Sequence, residues 1–296
     1  MSLSIFFWNI YGSGSQKTKP EDFKHTIKAI RDLTTLHQFD IIILSECPDN
    51  EVRDLIELEL KKIDDNYKNY SQFGSRLVTY HKIKSASEIR DYKLITKFTI
   101  PFERKLMIVG LHLHGRNQGL SDLDLYDEAA TYKKAIMALA VQEETDDIIV
   151  VGDFNMDPFE RGLVYRKNFN ATFLKQVANG TTPEEETAEN LVLEEDPNKY
   201  PYFYNPSWHL HGNLFSNIPG TFYTRTSQNK IIYHMLDQVL VSPSLIDNFD
   251  FENFEIISEY IYNEENISLV SNHGIPKKKL YSDHLPIRFV IKVKNI

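Results

Sequence analysis

Short apolar runs recur along this chain, and several stop abruptly at a polar group. Ser4–Trp8 leads into Asn9, Ile41–Leu44 into Ser45-Glu46, and Ile148–Val151 into Gly152-Asp153-Phe154-Asn155. A fourth group, Ser282-Asp283-His284-Leu285-Pro286, stands just ahead of the run Ile287–Val293. Runs of this length and composition read as buried strands. Between them the period changes. Across Lys17–Gln38, Phe23, Ile27, Ile30 and Leu33 form one helical stripe, Pro20 stands near the start, and Glu21 and Asp22 fill the first turn. Asn50–Ile63 and roughly Ser121–Gln142 also read as helices. Arg76–Lys82, Tyr92–Ile100 and Lys105–His112 look like antiparallel strands, with Met235–Val241, Phe254–Tyr260 and Pro286–Val293 as late strands. No repeat or low-complexity linker divides the chain. The pattern predicts one α/β domain over residues 1–296, with mixed sheets stacked between helical layers. Residues 157–217 lack clear strands; this stretch is polar, then aromatic over Tyr200–Trp208, and is expected to be an insertion beside the functional site.

Composition narrows the class. Of the 296 residues, 42% are hydrophobic and 25% charged, and 16 Tyr with 18 Phe can fill a sizeable core. No apolar run approaches the roughly 20 residues a membrane span needs. The start, Met1-Ser2-Leu3-Ser4, lacks a basic region and a cleavage site and runs straight into a strand. The single cysteine, Cys47, excludes an internal disulfide and reads as a small buried side chain. The expectation is a cytoplasmic protein. The net charge of −9 argues against a broad basic surface for nucleic acid. It is unevenly spread, however: between Thr181 and Tyr200 seven acidic residues stand against one lysine, so that this stretch holds −6 and the other 276 residues −3.

Carboxylates and carboxamides at strand ends are costly unless they are used. Gathered at rigid positions, they make an oxygen-rich pocket of the kind a hard divalent cation requires. The motifs also stand in a telling order: Asn9, Ser45-Glu46, a strand ending in His112, Gly152-Asp153-Phe154-Asn155, Leu236-Asp237-Gln238, then Ser282-Asp283-His284. In that order they resemble the endonuclease/exonuclease/phosphatase superfamily, the deoxyribonuclease I-like metal-dependent phosphoesterases, over nearly the whole chain. The resemblance implies a four-layer α/β sandwich, two mixed sheets face to face with helices outside.

It also implies roles. Glu46 is the expected Mg²⁺ ligand, with Mn²⁺ able to substitute, and Asn9 and Asp283 complete the metal side directly or through water. Asp153 and Asn155, two residues apart, would point into one pocket from an extended backbone and handle the attacking water and the phosphate oxygens. His284 resembles the catalytic histidine and Asp237 the acid that orients it. His112 resembles the second histidine, in preference to His114 on the same strand parity. His209, His211, His234 and His273 match no motif and are expected at the surface or in loops.

The substrate is left between two classes. Lys277-Lys278-Lys279, Arg225, Lys230 and Arg116, with the aromatic run for stacking, favour DNA or RNA. The shared histidine pair equally fits a phosphatase or phosphodiesterase for a phosphoinositide, sphingolipid headgroup or nucleotide. The abasic-site endonuclease branch normally has Tyr where His112 stands, and it carries an Asn-Gly-type loop that is missing here. A Mg²⁺-dependent nuclease is the expected activity, the small phosphorylated substrate or lipid headgroup the alternative.

Overall fold

A computed structural model describes residues 2–292, except 12–16, 18, 49, 72–76, 84–86, 93–94, 102–104, 117–118, 180–201, 214–215, 217 and 225–231. Among the described residues two large mixed sheets lie face to face. The first has the order β14 (Phe249–Ile256), β17 (Ile287–Lys292), β1 (Ser2–Asn9), β2 (Ile41–Ser45), β4 (Val78–His81), β3 (Lys68–Ser71). The second has the order β5 (Ser87–Tyr92), β6 (Ile95–Pro101), β7 (Lys105–His112), β8 (Asp147–Asp153), β13 (Asp237–Val241), β10 (Phe203–Tyr204), β9 (Ala171–Thr172). Two small hairpin-like pairs, β11 (Phe222–Tyr223) with β12 (Tyr233–His234) and β15 (Glu259–Tyr262) with β16 (Glu265–Ser268), complete the strands.

The alternation of side chains explains the layers. On β1, Leu3, Ile5 and Phe7 face the second sheet and meet Leu106, Ile108, Ile149 and Val151 in one buried cluster. Phe6 and Trp8 point the other way, onto helices α1 (Lys24–His37) and α2 (Asn50–Lys61), through Ile27, Ile30, Val52 and Ile56. On the far side, Val109, Leu111, Ile148 and Val150 pack against α3 (Asp122–Gln142) through Ala129, Ile136 and Leu139. Central strands buried on both faces have no polar side to show, which is why they read as unbroken apolar runs. Helix α3 begins at Ser121, whose hydroxyl accepts from the Asp124 N–H at 3.3 Å while the Asp124 carboxylate accepts from the Ser121 N–H at 2.8 Å.

Several elements depart from expectation. The helix expected from Lys17 begins as a 3-10 turn, Pro20–Phe23, and becomes α-helical at Lys24. The expected strand Tyr92–Ile100 coincides with β6 from Ile95 onward and takes in the last residue of β5, and Phe254–Tyr260 spans the end of β14 and the start of β15. Residues 157–217 do contain strands: β9 and β10 extend the edge of the second sheet beyond β13. At two residues each they are too short to show a period of two. Among the described residues three short helices accompany them, α4 (Arg161–Val164), α5 (Lys175–Ala178) and α6 (Ser207–His211). The acidic stretch Thr181–Tyr200 lies outside the described residues. No described helix is long and apolar enough to cross a membrane.

Candidate active site

Three strand ends of the second sheet carry one row of polar side chains. Parallel pairing sets His112 of β7 opposite Asp153 of β8, and antiparallel pairing sets Asp237 of β13 opposite the same Asp153. Directly paired residues share a face of the sheet, so all three side chains project together. Gly152 permits this approach, since a Cβ there would collide with the Leu111 carbonyl of β7. The first sheet supplies the facing row. Asn9 of β1 pairs with Ser45 of β2, and Glu46 follows with a left-handed φ of 54°. A carboxylate residue in that conformation is uncommon and costs free energy, a pattern that marks functional turns.

The two rows meet at the Asp153 carboxylate. Its Oδ2 accepts from the Asn9 amide at 2.9 Å and lies 3.9 Å from Nε2 of both His112 and His284. The same Asn9 amide donates to Glu46 Oε1 at 3.3 Å, and His112 Nε2 stands 3.6 Å from that oxygen. Asp237 Oδ2 is 2.8 Å from His284 Nδ1. Asn9, Asp153, Asp237, His112 and His284 are all buried.

Sequence-distant contacts hold the Ser282-Asp283-His284 loop in place. Ser282 Oγ donates to the Asn9 carbonyl at 2.6 Å and accepts from the His284 N–H at 3.1 Å, while the Trp8 indole donates to the His284 carbonyl at 2.9 Å. Thr221 links loop and strand: its carbonyl accepts from the Leu285 N–H at 2.8 Å and its hydroxyl from the Asp237 N–H at 3.1 Å. No motif announces Thr221.

Charge in the pocket is strongly coupled. Burial lifts the Asp153 carboxyl above its ordinary value; His284 opposes the shift, Asp237 adds to it, and His112 and the Asn9 amide oppose it. For His284, burial disfavours the imidazolium, but the carboxylates of Asp237, Asp153 and Asp283 outweigh it and raise the pKa to about 10. His284 is therefore a cation at neutral pH, with Asp237 holding Nδ1 and Nε2 turned toward Asp153.

The donor set fits a hard cation. Asp153, Asp237 and His284 bring their polar atoms within 4.8 Å of one another; a protonated His284 has no lone pair for a metal, so the carboxylates are the donors. Asp237 Oδ1 and Asp283 Oδ1 are buried and have no hydrogen-bond donor among the described residues. Buried acceptors without a partner carry a desolvation penalty that a divalent ion relieves.

The other expected residues fall at different distances from this centre. Asp283 turns its second oxygen to Lys278 at 2.9 Å. Asn155 does not follow Asp153 on an extended backbone. The strand ends at Asp153, Asn155 is left-handed at φ 50°, and its amide donates to the Leu113 carbonyl at 2.8 Å. Its place beside the pocket comes from a turn closed by the Asn155 N–H on Asp153 Oδ1 at 2.9 Å. Arg116 is exposed and held by Asp122 at 2.9 Å, by Glu160 and by the Asn155 carbonyl at 3.3 Å, so it braces this turn. Arg225 and Lys230 lie outside the described residues.

Of the lysine run, Lys277 donates to the Ser268 carbonyl and Lys278 pairs with Asp283, leaving Lys279 exposed. His114 pairs with Glu128 rather than facing the pocket cluster. From the aromatic run, Phe203 and Tyr204 are core residues. Cys47 is free and buried. His234 departs from its expected loop or surface role: on β12 it is half-buried, with Nδ1 2.6 Å from Asp157 Oδ2, while Asp157 Oδ1 accepts the Met235 N–H at 2.8 Å. Asp157 thus fastens the strand that delivers Asp237. Its position two residues past Asn155 and just before Pro158 was the available signal.

Comparison with known proteins agrees with this geometry. A model of the Endonuclease/Exonuclease/phosphatase family matches residues 6–284. Among solved structures, TDP2 from C. elegans is similar at 15% identity and TM-score 0.55, over 99% of this chain and 76% of that one. A mannosyl-6-phosphatase from Bacteroides thetaiotaomicron is similar at 13% identity and TM-score 0.54, over 98% and 99% of the two chains. An AP endonuclease from Archaeoglobus fulgidus is similar at 16% identity and TM-score 0.53, over 98% and 100%. At identities this low, the structural likeness shows a shared fold alone. No curated protein matches the chain in sequence.

Proposed function

The chain belongs to the Endonuclease/Exonuclease/phosphatase family, whose members hydrolyse phosphoester bonds, and we propose that it is a Mg²⁺-dependent nuclease cleaving nucleic-acid phosphodiesters by in-line attack of water. The observation that carries this reading is the meeting of both sheets at Asp153, with two histidines and the Asn9 amide around one carboxylate oxygen. Asp153, lifted in pKa by burial, is a competent base for a water proton. Asp237 fixes the His284 ring, so that Nε2–H would donate to a phosphate oxygen bound beside Asp153. His112, on the opposite side of Asp153, is placed to contact the phosphate or protonate the leaving oxygen. Glu46, with Asn9 and Asp283, would hold Mg²⁺ (or Mn²⁺), which neutralises charge developing on the phosphate oxygens. Asn155 and Arg116 shape the adjoining turn. The single free cysteine fits a reducing, cytoplasmic setting.

A second reading, a phosphatase or phosphodiesterase on a small phosphorylated molecule or lipid headgroup, draws support from the net charge of −9. An activity panel with Mg²⁺ and Mn²⁺ separates the two, using single- and double-stranded DNA, RNA, inositol phosphates and sphingomyelin. Nucleic-acid cleavage with steeply salt-dependent KM supports the nuclease. Saturable turnover of a small phosphoester with little salt effect, and no nucleic-acid cleavage, overturns it.

A further inference from the structure

Beyond Asp157 and Glu160, six residues past Asn155, the charge balance of the chain reverses. Residues 161–183 contain Arg161, Arg166, Lys167 and Lys175 and no acidic residue, a net of +4 in a chain whose total is −9. Aromatic and aliphatic side chains are interleaved with these cations and stand in solvent: Phe159 is 43% exposed, Tyr165 43%, Phe173 54% and Leu174 45%. Large exposed apolar side chains gathered in one short segment invite a binding role.

The rings are organised. Trp208 of α6 lies between Phe159 and Phe173, with centroids 6.2 and 5.2 Å away and ring planes at 57° and 48°. The Arg161 guanidinium sits 4.6 Å over the Tyr165 ring. Among the described residues neither Arg161 nor Lys167 is paired with a carboxylate, in contrast to Arg116 and Lys278. The surface also adjoins the pocket. Phe159 is four residues from Asn155, at most about 14 Å along an extended chain. Its neighbour Glu160 ties Arg116 to the Asn155 turn.

We propose that this face, built from Phe159, Phe173 and Trp208 with Arg161 and Lys167, is a single-strand nucleic-acid track leading into the active site. The inference rests on the nuclease function proposed for the pocket and specifies its substrate. Exposed ring faces offer stacking to any base, whereas a duplex hides its base faces from them. The adjacent cations receive the phosphates between stacked bases. Rings interleaved with the exposed Arg161 and Lys167 match the alternation of bases and phosphates along a single strand.

The test measures cleavage and anisotropy binding with a fluorescent single-stranded oligonucleotide and its duplex, in the full chain. The variants are Phe159→Leu, Phe173→Leu and the pair Arg161→Gln/Lys167→Gln, each verified as folded by its melting temperature. Each ring removal is expected to raise KM for the single strand about tenfold with kcat nearly unchanged. The paired charge variant should flatten the slope of log K against log salt by about 0.7 for each phosphate it no longer neutralises. Because Arg161 and Lys167 are exposed, the charge pair keeps the test open should a ring variant misfold. Wild-type cleavage of nucleic acid with unchanged KM and slope in every variant overturns the track while the nuclease reading stands. Equal binding of duplex and single strand, or a dimer that the ring variants abolish, also overturns it. No cleavage of any nucleic acid by the wild type overturns the nuclease reading and the track with it.

Discussion

At the strand ends, Asn9, Asp153, Asp237 and His284 are buried and hold one another through a chain of hydrogen bonds and close approaches. Beyond Asp153 in the chain, Phe159, Arg161 and Phe173 are exposed, and both rings lean on Trp208. The difference lies in what each region must fix. Catalysis needs charges placed to within fractions of an ångström, so the pocket is set by strand register and by mutual bonding. Binding a flexible strand needs only adaptable faces and diffuse charge, which a loop-borne surface provides. The pocket should therefore fail as a unit, and the surface by independent increments.

The largest effect expected from this contrast is at the Asp237–His284 pair. Asp237→Asn and His284→Ala should each lower kcat by about 10³-fold, and the double variant by scarcely more, because either change disables one unit. Effects that multiply would contradict the unit. The pair also has a pH signature. Because the folded pKa of His284 is raised to about 10, its charge contributes stability that is fully present below the unfolded value near 6.5 and is lost as pH rises toward 10. In metal-free protein, the His284 imidazole resonances should remain those of the cation at pH 8, and Asp237→Asn should move the midpoint down. An unmoved midpoint would mean that Asp237 is not what sustains the charge.

Glu46→Gln comes next, at about 10²-fold in rate. Size and hydrogen bonding are kept and the charge is removed, so Mg²⁺ affinity measured by calorimetry should fall with activity. Near-wild-type turnover at saturating Mg²⁺ would remove Glu46 from the metal side.

The pocket was legible in the sequence because it sits where apolar runs stop, and buried strands cannot hide a carboxylate without purpose. Asn9, Glu46, Asp153 and Asp237 each stand at or beside such a stop. Parity misled at Asn155, because the period of two ends with the strand and the next residues turn. Thr221, Asp157 and His234 escaped notice since their work is done across 16 and 77 residues of sequence, where no local pattern connects them. The surface escaped for a different reason. Its four cations are diluted by a chain of opposite charge, and exposure, which sets Phe173 apart from the buried Phe169, is not visible in a sequence.

Asp157 tests the boundary between the two regions. It carries no reacting group, yet it accepts the Met235 N–H and pairs with His234 while nearly buried itself. Asp157→Ala should cost about 1–3 kcal/mol of stability by leaving that N–H unpaired. Through the displaced start of β13 it should lower kcat by about tenfold. Equilibrium urea unfolding and steady-state kinetics measure the two effects, and reduced stability with kcat unchanged would make Asp157 structural only.

The smallest effect concerns the acidic stretch that follows the basic surface in sequence. Residues 161–183 carry +4, and Thr181–Tyr200 carries −6. With two opposite blocks so close along the chain, the acidic block is expected to compete with a polyanion for the same cations. Screening decides how far that competition reaches, since exposed charges lose sight of one another beyond about 8–10 Å at physiological ionic strength. Replacing Thr181–Lys199 with a short Gly/Ser linker should therefore tighten single-strand binding by about three- to tenfold at low salt, on the order of 1 kcal/mol, and by almost nothing at high salt. The melting temperature should move little, because the segment has no helical or strand period and its charge density opposes burial. Loss of cooperative unfolding would show that the segment is structural. Unchanged low-salt affinity would mean that the negative block does not reach the surface, leaving the cations of 161–175 to act alone.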